Sequence, residues 1–215
     1  VVTNQDHEAN TGAWRKLASR GAEVREWKID PQTGHLELAD LDKLLDSKVR
    51  LLAMPHVSNI VGEINPVAEI VKKAKAFGAV TVVDGVSYAP HGLPDILSLG
   101  CDIYLFSTYK TYGPHQGIMA IRPLLAVELP NQGHFFNETQ PRKRPVPAGP
   151  DHAQIAAAAQ GQGGEPLRRV DLDQCDVRVR RLRQQCPAIG EPVLQGHGDE
   201  AGAIDHVLVG DDQAG

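Results

Sequence analysis

The strongest constraint on the fold is a repeated pattern in which an apolar stretch ends in a polar or charged group. Residues 50–54 are apolar after the first position and lead to Asn59, residues 80–83 lead directly to Asp84, and residues 101–106 lead to Lys110. Short apolar stretches of this kind, separated by helical patterns, are typical of parallel strands covered by helices. The sequence therefore predicts an α/β fold: a mostly parallel sheet with helices on both faces, in three layers (α/β/α).

The segments between these stretches supply the remaining elements. Apolar periodicity predicts helices at residues 8–19, 38–45, 67–77 and 93–99, and further strands at residues 1–3, 22–29 and 118–121. The first helix is expected to bury a mostly apolar face, which consists of Ala9, Ala13, Trp14, Leu17 and Ala18. Pro66 is suited to the start of the third helix, and Gly78 to its end.

Lys110 is a candidate for covalent chemistry. It follows a predicted buried strand, with Ser107 three residues before it and a glycine-containing turn after it. In α/β proteins, ligands bind in the crevice at the carboxyl ends of the strands. A lysine in such a crevice is suited to forming a Schiff base with a carbonyl compound.

Four runs of sequence together resemble a known family. They are DHEAN at 6–10, HVSNIVGEINP at 56–66, VDGVSYAPH at 83–91 and STYKTYGP at 107–114. In this order and spacing they resemble class V aminotransferases of pyridoxal-phosphate fold type I, and most of all the cysteine desulfurase and selenocysteine lyase branch. The resemblance extends over the first 140 to 160 residues, so residues 1–143 are expected to form part of the large domain of such an enzyme.

The resemblance implies pyridoxal 5'-phosphate as the cofactor and gives three residues catalytic roles. Lys110 would form the Schiff base with the cofactor and, once the substrate amine has displaced it, carry protons. Asp84, 26 residues before it, would keep the pyridine nitrogen protonated, so that the ring can accept an electron pair from the substrate. His7 would stack on the ring.

Four more residues would hold the cofactor if the resemblance is followed residue by residue. Asn59 would hydrogen-bond the ring hydroxyl oxygen, although a Ser-Asn pair also favours a simple turn. Ser87 stands where desulfurases usually have glutamine, so its shorter side chain puts that contact in doubt. Ser107 would bind the phosphate, and Tyr109, which replaces a common histidine, would also reach it.

The implied activity is that of an enzyme acting on an amino acid. The resemblance favours a cysteine desulfurase-like reaction, with Schiff-base formation, removal of the α-proton and cleavage of a C–S or C–Se bond. The alternatives are class V transamination and an inactive fragment that does not bind the cofactor productively. A flavodoxin-like or nucleotide-binding domain is disfavoured, since no glycine-rich phosphate loop follows a strand.

Composition excludes several other classes of protein. The net charge is −5, with acidic and basic residues mixed along the chain, which is unlike a nucleic-acid-binding protein or one bound to a membrane surface. No apolar run is long enough to span a membrane. The three cysteines, Cys101, Cys175 and Cys186, show no metal-binding spacing, and Cys101 reads as a small buried apolar residue. We expect no metal, a small amino-acid substrate, a cytoplasmic setting and, for the complete parent enzyme, a homodimer.

The last 72 residues, 144–215, differ from the rest in composition. All ten aromatic residues and every Lys, Ser, Thr, Asn and Met lie in residues 1–143. Residues 144–152 faintly resemble a phosphate-contacting segment, but Pro150 stands where that segment has threonine. We expect residues 144–215 to be a degraded or aberrant segment, produced by a reading-frame error or composed of sequence that packs poorly. The chain as a whole is expected to be a fragment.

Overall fold

The computed structural model describes residues 1–92, 94–141, 143–145 and, for the backbone, 206–211. The chain divides into two compact units, Val1–Phe106 (unit 1) and Ser107–Gly215 (unit 2). The division falls within one strand, one residue before its end. The boundary between residues 143 and 144 that the sequence suggested stays a prediction.

Unit 1 alternates strands and helices. Its strands are β1 (Val2–Thr3), β2 (Glu26–Trp27), β3 (Leu51–Pro55), β4 (Val80–Asp84) and β5 (Ile103–Ser107), the last of which ends in unit 2. Its helices are α1 (Glu8–Lys16), α2 (Leu38–Leu44), α3 (Val67–Ala76) and α4 (Ile96–Leu99), and a 3-10 helix, Leu17–Arg20, continues α1. Strands β3, β4 and β5 pair in parallel in that order, and β1 pairs in parallel with β2. The predicted α/β class with a mostly parallel sheet is confirmed.

The core of unit 1 forms where the strands are continuously apolar. Val2, Ala53 and Val82, from β1, β3 and β4, form a buried cluster. Helix α1 packs against β1 and β3, and α3 packs against β4. Helix α3 begins after Pro66, as predicted, and the chain leaves it through Gly78 at a φ of 76°. Strands covered in this way present only their ends to ligands.

The predicted apolar face of α1 is wrong. The buried residues of this helix are Asn10, Thr11 and Gly12, whereas the alanines at 9 and 13 are exposed. Asn10 Nδ2 donates to Asp6 Oδ2 at 2.5 Å, and Arg15 Nη2 donates to Glu26 Oε1 at 2.7 Å. These polar contacts decide which side of α1 faces the interior of unit 1. That side differs from the one that the apolar pattern predicted.

The predicted strand at residues 22–29 is much shorter in the structure. Only Glu26 and Trp27 pair with a neighbour, because their partner β1 is itself two residues long. Trp27 is fully buried, and its indole N–H donates to the Glu37 carbonyl oxygen at 3.1 Å. This bond ties β2 to the start of α2.

Unit 2 contains β6 (Gln116–Ile121), α5 (Pro123–Glu128), β7 (His206–Asp211) and two 3-10 helices, Thr108–Thr111 and Phe135–Asn137. Strand β7 pairs antiparallel with β6, from Gln116↔Asp211 to Ile121↔His206. The apolar pattern predicted β6 but not β7. Residues 170–182, whose arginine-rich sequence could form a charged helix, lie outside the described residues. Within the described part of the chain, no helix has the length and apolar character needed to cross a membrane.

Candidate functional site

In unit 1, polar residues that follow three strands lie at one edge of the sheet. Pro55 of β3 is paired with Asp84 of β4, and the His56 N–H donates to the Asp84 carbonyl oxygen at 2.7 Å. The Ser58 hydroxyl, just past β3, donates to the carbonyl oxygen of Gln5, just past β1, at 3.0 Å. The ends of β3 and β4 and the residues that follow β1 are therefore held together, whereas Lys110, the third residue of the predicted strand-end pattern, lies in unit 2.

Asp84 is the last residue of β4 and is half-buried. Its Oδ1 accepts a hydrogen bond from the Val86 N–H at 2.8 Å. The turn that follows is closed by N–H groups of Tyr88 and Ala89, which both donate to the Gly85 carbonyl oxygen, and Ser87 lies half-buried within it. The carboxylate thus has an orientation fixed by its own turn.

His7 and Asn59 are the exposed members of this group. His7 precedes α1 as its N-cap, and its Nδ1 accepts from the Ala9 N–H at 3.1 Å. This bond fixes the orientation of the imidazole at the start of the helix. In the turn after β3, the Ser58 hydroxyl accepts from the N–H groups of Ile60 and Val61, and the Asn59 side chain is exposed.

The sequence analysis missed Asp6, a buried carboxyl group at the same edge. It accepts hydrogen bonds from the His7 N–H at 2.8 Å and from the Asn10 side chain. Burial, and then the charge of Asp84, raise the pKa of Asp6 to about 7. An aspartate immediately before the candidate histidine was the available signal, but nothing in the sequence indicated that it is buried near a second carboxylate.

The sequence analysis also missed a buried cluster formed by His56, Tyr88 and Tyr104. His56 Nδ1 lies 2.8 Å from the Tyr104 hydroxyl oxygen, and its ring stacks on Tyr88 with centroids 3.7 Å apart. Burial lowers the pKa of His56 to about 4 and raises the pKa of Tyr104 above its usual range. Both side chains are therefore neutral near pH 7. The contact joins residues 48 positions apart, so local patterns did not indicate it.

The other three predicted site residues belong to unit 2. Ser107 is buried, Lys110 is half-buried on the 3-10 helix Thr108–Thr111, and Tyr109 is 41% exposed. The Tyr109 ring stacks on His115 with centroids 4.8 Å apart. Sequence patterns did not predict this contact.

The segment that carries Lys110 is fixed by Thr108. The buried Thr108 hydroxyl donates to the Pro114 carbonyl oxygen at 2.6 Å, and the Thr108 carbonyl oxygen accepts from the Gly113 N–H at 2.8 Å. Tyr112 then adopts a φ of 65°, the left-handed region that a residue other than glycine rarely occupies. Lys110 is thus presented from a closed, well-bonded turn.

Cys101 has the properties that its sequence context predicted. It is a buried thiol, and burial raises its pKa to about 12. Because the thiolate is the nucleophile, a thiol in this state is unreactive. The other two cysteines, at 175 and 186, lie outside the described residues.

Comparisons with known proteins agree with this description. The sequence is 42% identical over 132 residues to a cysteine desulfurase of Yersinia pseudotuberculosis, a match covering 60% of this chain and 32% of that protein. The structure is similar to that of the cysteine desulfurase CsdA from Escherichia coli, with a TM-score of 0.67 and 26% identity over 74% of this chain and 43% of that one. It is also similar to the apo cysteine desulfurase of Thermococcus onnurineus NA1, with a TM-score of 0.62, 29% identity and the same shares of the two chains.

The chain spans about a third of the length of the curated relatives it matches, since the match covers 32% of each. The sequence model of the family described as "Aminotransferase class-V" matches residues 1–134, which is more than half of the chain. The matched range includes both groups of predicted site residues. The chain belongs to the class-V aminotransferase family.

Proposed function

We propose that this chain is part of a pyridoxal-phosphate-dependent enzyme that acts on an amino acid in the manner of a cysteine desulfurase. The observation that carries the proposal is the chemistry of two motif residues within the family match: a half-buried lysine, Lys110, on a closed turn, and a half-buried carboxylate, Asp84, at a strand end. The names of its relatives support the choice of desulfuration.

The donor groups in unit 1 suit the pyridine ring of the cofactor. Asp84 offers a carboxylate, which is the group that keeps a pyridine nitrogen protonated. The His7 ring is exposed while its Nδ1 is engaged in the helix cap, so a ring face is available for stacking. Asn59 has an exposed amide and Ser87 a hydroxyl, and both can hydrogen-bond a ring hydroxyl oxygen.

The donor groups in unit 2 suit the aldehyde and phosphate ends. Lys110 supplies the primary amine, and the proposal assigns it covalent attachment of the cofactor. Ser107 and Tyr109 carry hydroxyl groups that can donate to phosphate oxygens. When bound, pyridoxal phosphate delocalises the electron pair left when the substrate α-carbon loses its proton.

The remaining steps belong to residues of the chain. Lys110 Nζ would be the base that accepts the substrate α-proton and returns it. The Asp84 carboxylate would hold a proton at the pyridine nitrogen of the bound cofactor. Cys101 takes no part in sulfur transfer, because it is buried and protonated. For the complete protein we propose a homodimer in the cytoplasm.

Transamination is the second candidate. It is favoured by the family description and by the fact that the only cysteine in the described part of the chain, Cys101, is buried and unreactive. The two reactions differ in products. Incubation with cysteine releases alanine and reducible sulfur in a desulfurase, whereas a transaminase converts its amino acid to the keto acid and requires a keto-acid acceptor.

The proposal is tested by titrating the purified chain with pyridoxal phosphate and recording the visible absorption spectrum. We expect a saturable new band in the parent, no such band in Lys110→Ala, and an unchanged band in Lys143→Ala, whose lysine is exposed. A spectrum of free cofactor in the parent at all concentrations would mean that this chain does not bind the cofactor, which is the inactive alternative.

A further inference from the structure

We propose that His56, Tyr104 and Tyr88, here named the strand-end brace, hold the Asp84 carboxylate in position, because together they contact the Asp84 carbonyl group and the turn that follows it. These are positioning residues and are not assigned contact with a substrate. The functional consequence rests on the proposed function, in which Asp84 faces the cofactor. The structural claim, that the brace holds Asp84 and its turn, does not depend on the proposed function.

His56 is bound to two neighbouring strands at once. Its main-chain N–H donates to the carbonyl oxygen of Asp84 at 2.7 Å, and its Nδ1 lies 2.8 Å from the hydroxyl oxygen of Tyr104 on β5. His56 is 6% exposed and Tyr104 is fully buried, so water does not compete for this hydrogen bond. In either neutral tautomer one proton is shared between the two groups. The two bonds therefore link the residue after β3 to the end of β4 and to Tyr104 within β5.

Tyr88 extends the brace to the turn that follows Asp84. Its ring stacks on His56 at an interplanar angle of 12°, and its N–H donates to the Gly85 carbonyl oxygen at 3.0 Å. The Tyr88 hydroxyl makes no hydrogen bond within the described residues, so its contribution comes from the ring. The turn is thereby attached to the imidazole by packing as well as by its own backbone bonds.

Gly85 completes the arrangement on the Tyr104 side. The Tyr104 ring lies so close to the Gly85 Cα that a side chain at this position would overlap it. The Gly85 N–H also donates to the Leu105 carbonyl oxygen at 2.7 Å. The carbonyl oxygen of Asp84 is thus bound by His56, and the next residue, Gly85, lies against Tyr104, while the Asp84 Oδ1 accepts from the Val86 N–H inside the same turn.

The brace carries no charge near neutral pH. The neutral forms of His56 and Tyr104 follow from their burial, as described above. Asp6 is the other titratable group whose charge interacts with Asp84 at this edge, and Arg15 acts on Asp6 in the opposite sense. An uncharged brace can orient the carboxylate without forming an ion pair that would withdraw it from a ligand.

The test is amide hydrogen exchange, followed by NMR, of the chain without cofactor. In Tyr104→Phe and His56→Leu, the Val86 and Tyr88 amides should exchange about fivefold faster or more, the effect of losing roughly one net hydrogen bond. Amides inside α3 should be unchanged. In Tyr88→Phe, which keeps the ring that stacks on His56, the turn should exchange as in the parent.

Two results would overturn the brace. One is an unchanged rate at Val86 in Tyr104→Phe. The other is an equal acceleration in α3 and in the turn, which would mean that these residues only add to global stability.

A second measurement separates the brace from the proposed function. In variants that bind pyridoxal phosphate, the absorption band of the bound cofactor is followed against pH, and in Tyr104→Phe the transition should move to lower pH because Asp84 supports the protonated ring less well. If the parent binds no cofactor, the proposed function is wrong. The hydrogen-exchange data still test whether the brace holds the turn that follows Asp84. If the parent binds and the transition does not move, the functional consequence of the brace is wrong.

Discussion

The Asp6 carboxyl group shows how burial can set the charge of a single residue. Its two oxygens accept from the His7 N–H and the Asn10 side chain, but desolvation and the neighbouring Asp84 charge outweigh those bonds and leave the pKa at about 7. In the unfolded chain the pKa of the same group lies near its ordinary value of 3.8. At most pH values between these two pKa values, Asp6 therefore takes up a proton when the chain folds.

The stability of the folded chain should depend on pH through Asp6. Between about pH 4 and about pH 7 the folded state binds more protons at this site, so its contribution to the free energy of unfolding falls as the pH rises. His56 contributes in the opposite sense up to its unfolded pKa, because its folded pKa is lowered to about 4. The difference between Asp6→Asn and the parent isolates the first effect.

Urea denaturation measures the free energy of unfolding of Asp6→Asn relative to that of the parent. Between about pH 4 and about pH 7 we expect this difference to increase by about 2–4 kcal/mol in favour of Asp6→Asn. Parallel curves for the two proteins would contradict the assignment of a raised pKa to Asp6.

Gly85 gives a second prediction at the level of one residue. Gly85→Ala should lower the free energy of unfolding by about 1–3 kcal/mol, the usual cost of overpacking, because the added methyl group would overlap the buried Tyr104 ring. The matched control is Gly12→Ala in α1, where the added carbon meets only the flexible Glu8 side chain. It should be neutral or stabilising by up to about 1 kcal/mol, since alanine favours helix. Equal effects in the two variants would refute the close packing of Gly85.

At the scale of elements, the turn that presents Lys110 depends on one buried hydroxyl. Thr108 Oγ1 donates to the Pro114 carbonyl oxygen at 2.6 Å and lies 3.2 Å from the Gln116 carbonyl oxygen. Valine has nearly the same shape but no donor. The 3-10 helix and the start of β6 would then lose the contact that joins them.

Thr108→Val should cost about 1–3 kcal/mol of stability, since buried acceptors are left unsatisfied, and should weaken uptake of pyridoxal phosphate severalfold. Denaturation and the cofactor titration measure the two effects. Thr33→Val removes a hydroxyl from an exposed turn, where it accepts from the His35 N–H, and should change stability by less than about 0.5 kcal/mol. A Thr108 variant as stable as the Thr33 variant would mean that the turn closes without this bond.

The elements also show what local sequence could and could not predict. Continuous apolar runs predicted β3, β4, β5 and β6, because burial on both faces requires them. The inward face of α1 was mispredicted, since hydrogen bonds of Asn10 and Arg15 decide it. Likewise, the length of β2 was set by its short partner. Strand β7 contains the short apolar run 207–209, but it was not predicted, because residues 144–215 were expected to be an aberrant segment.

For the site, the sequence identified residues that end strands but not those that support them. Asp84 and Lys110 were found because each follows an apolar run. His56 and Tyr104 were not, because their contact depends on neighbouring strands brought together only in the fold. The apolar periodicity of the sequence does not predict supporting contacts of this kind.

At the scale of the whole molecule, the chain combines a family match over residues 1–134 with a final third of different composition. It covers 32% of the length of its curated relatives, so its function has to be established on this chain itself. The proposed roles of Lys110 and Asp84 require that this polypeptide binds the cofactor.

The most direct measurement is to mix the protein with pyridoxal phosphate, reduce it with borohydride and locate the modification by peptide mass spectrometry. The chain has nine lysines, and chemistry at exposed amines alone would label several of them. We predict a stoichiometric reduced pyridoxyl group on Lys110 at cofactor concentrations that leave the other eight unmodified. Labelling spread over the exposed lysines, with Lys110 no more modified than Lys143, would contradict the account.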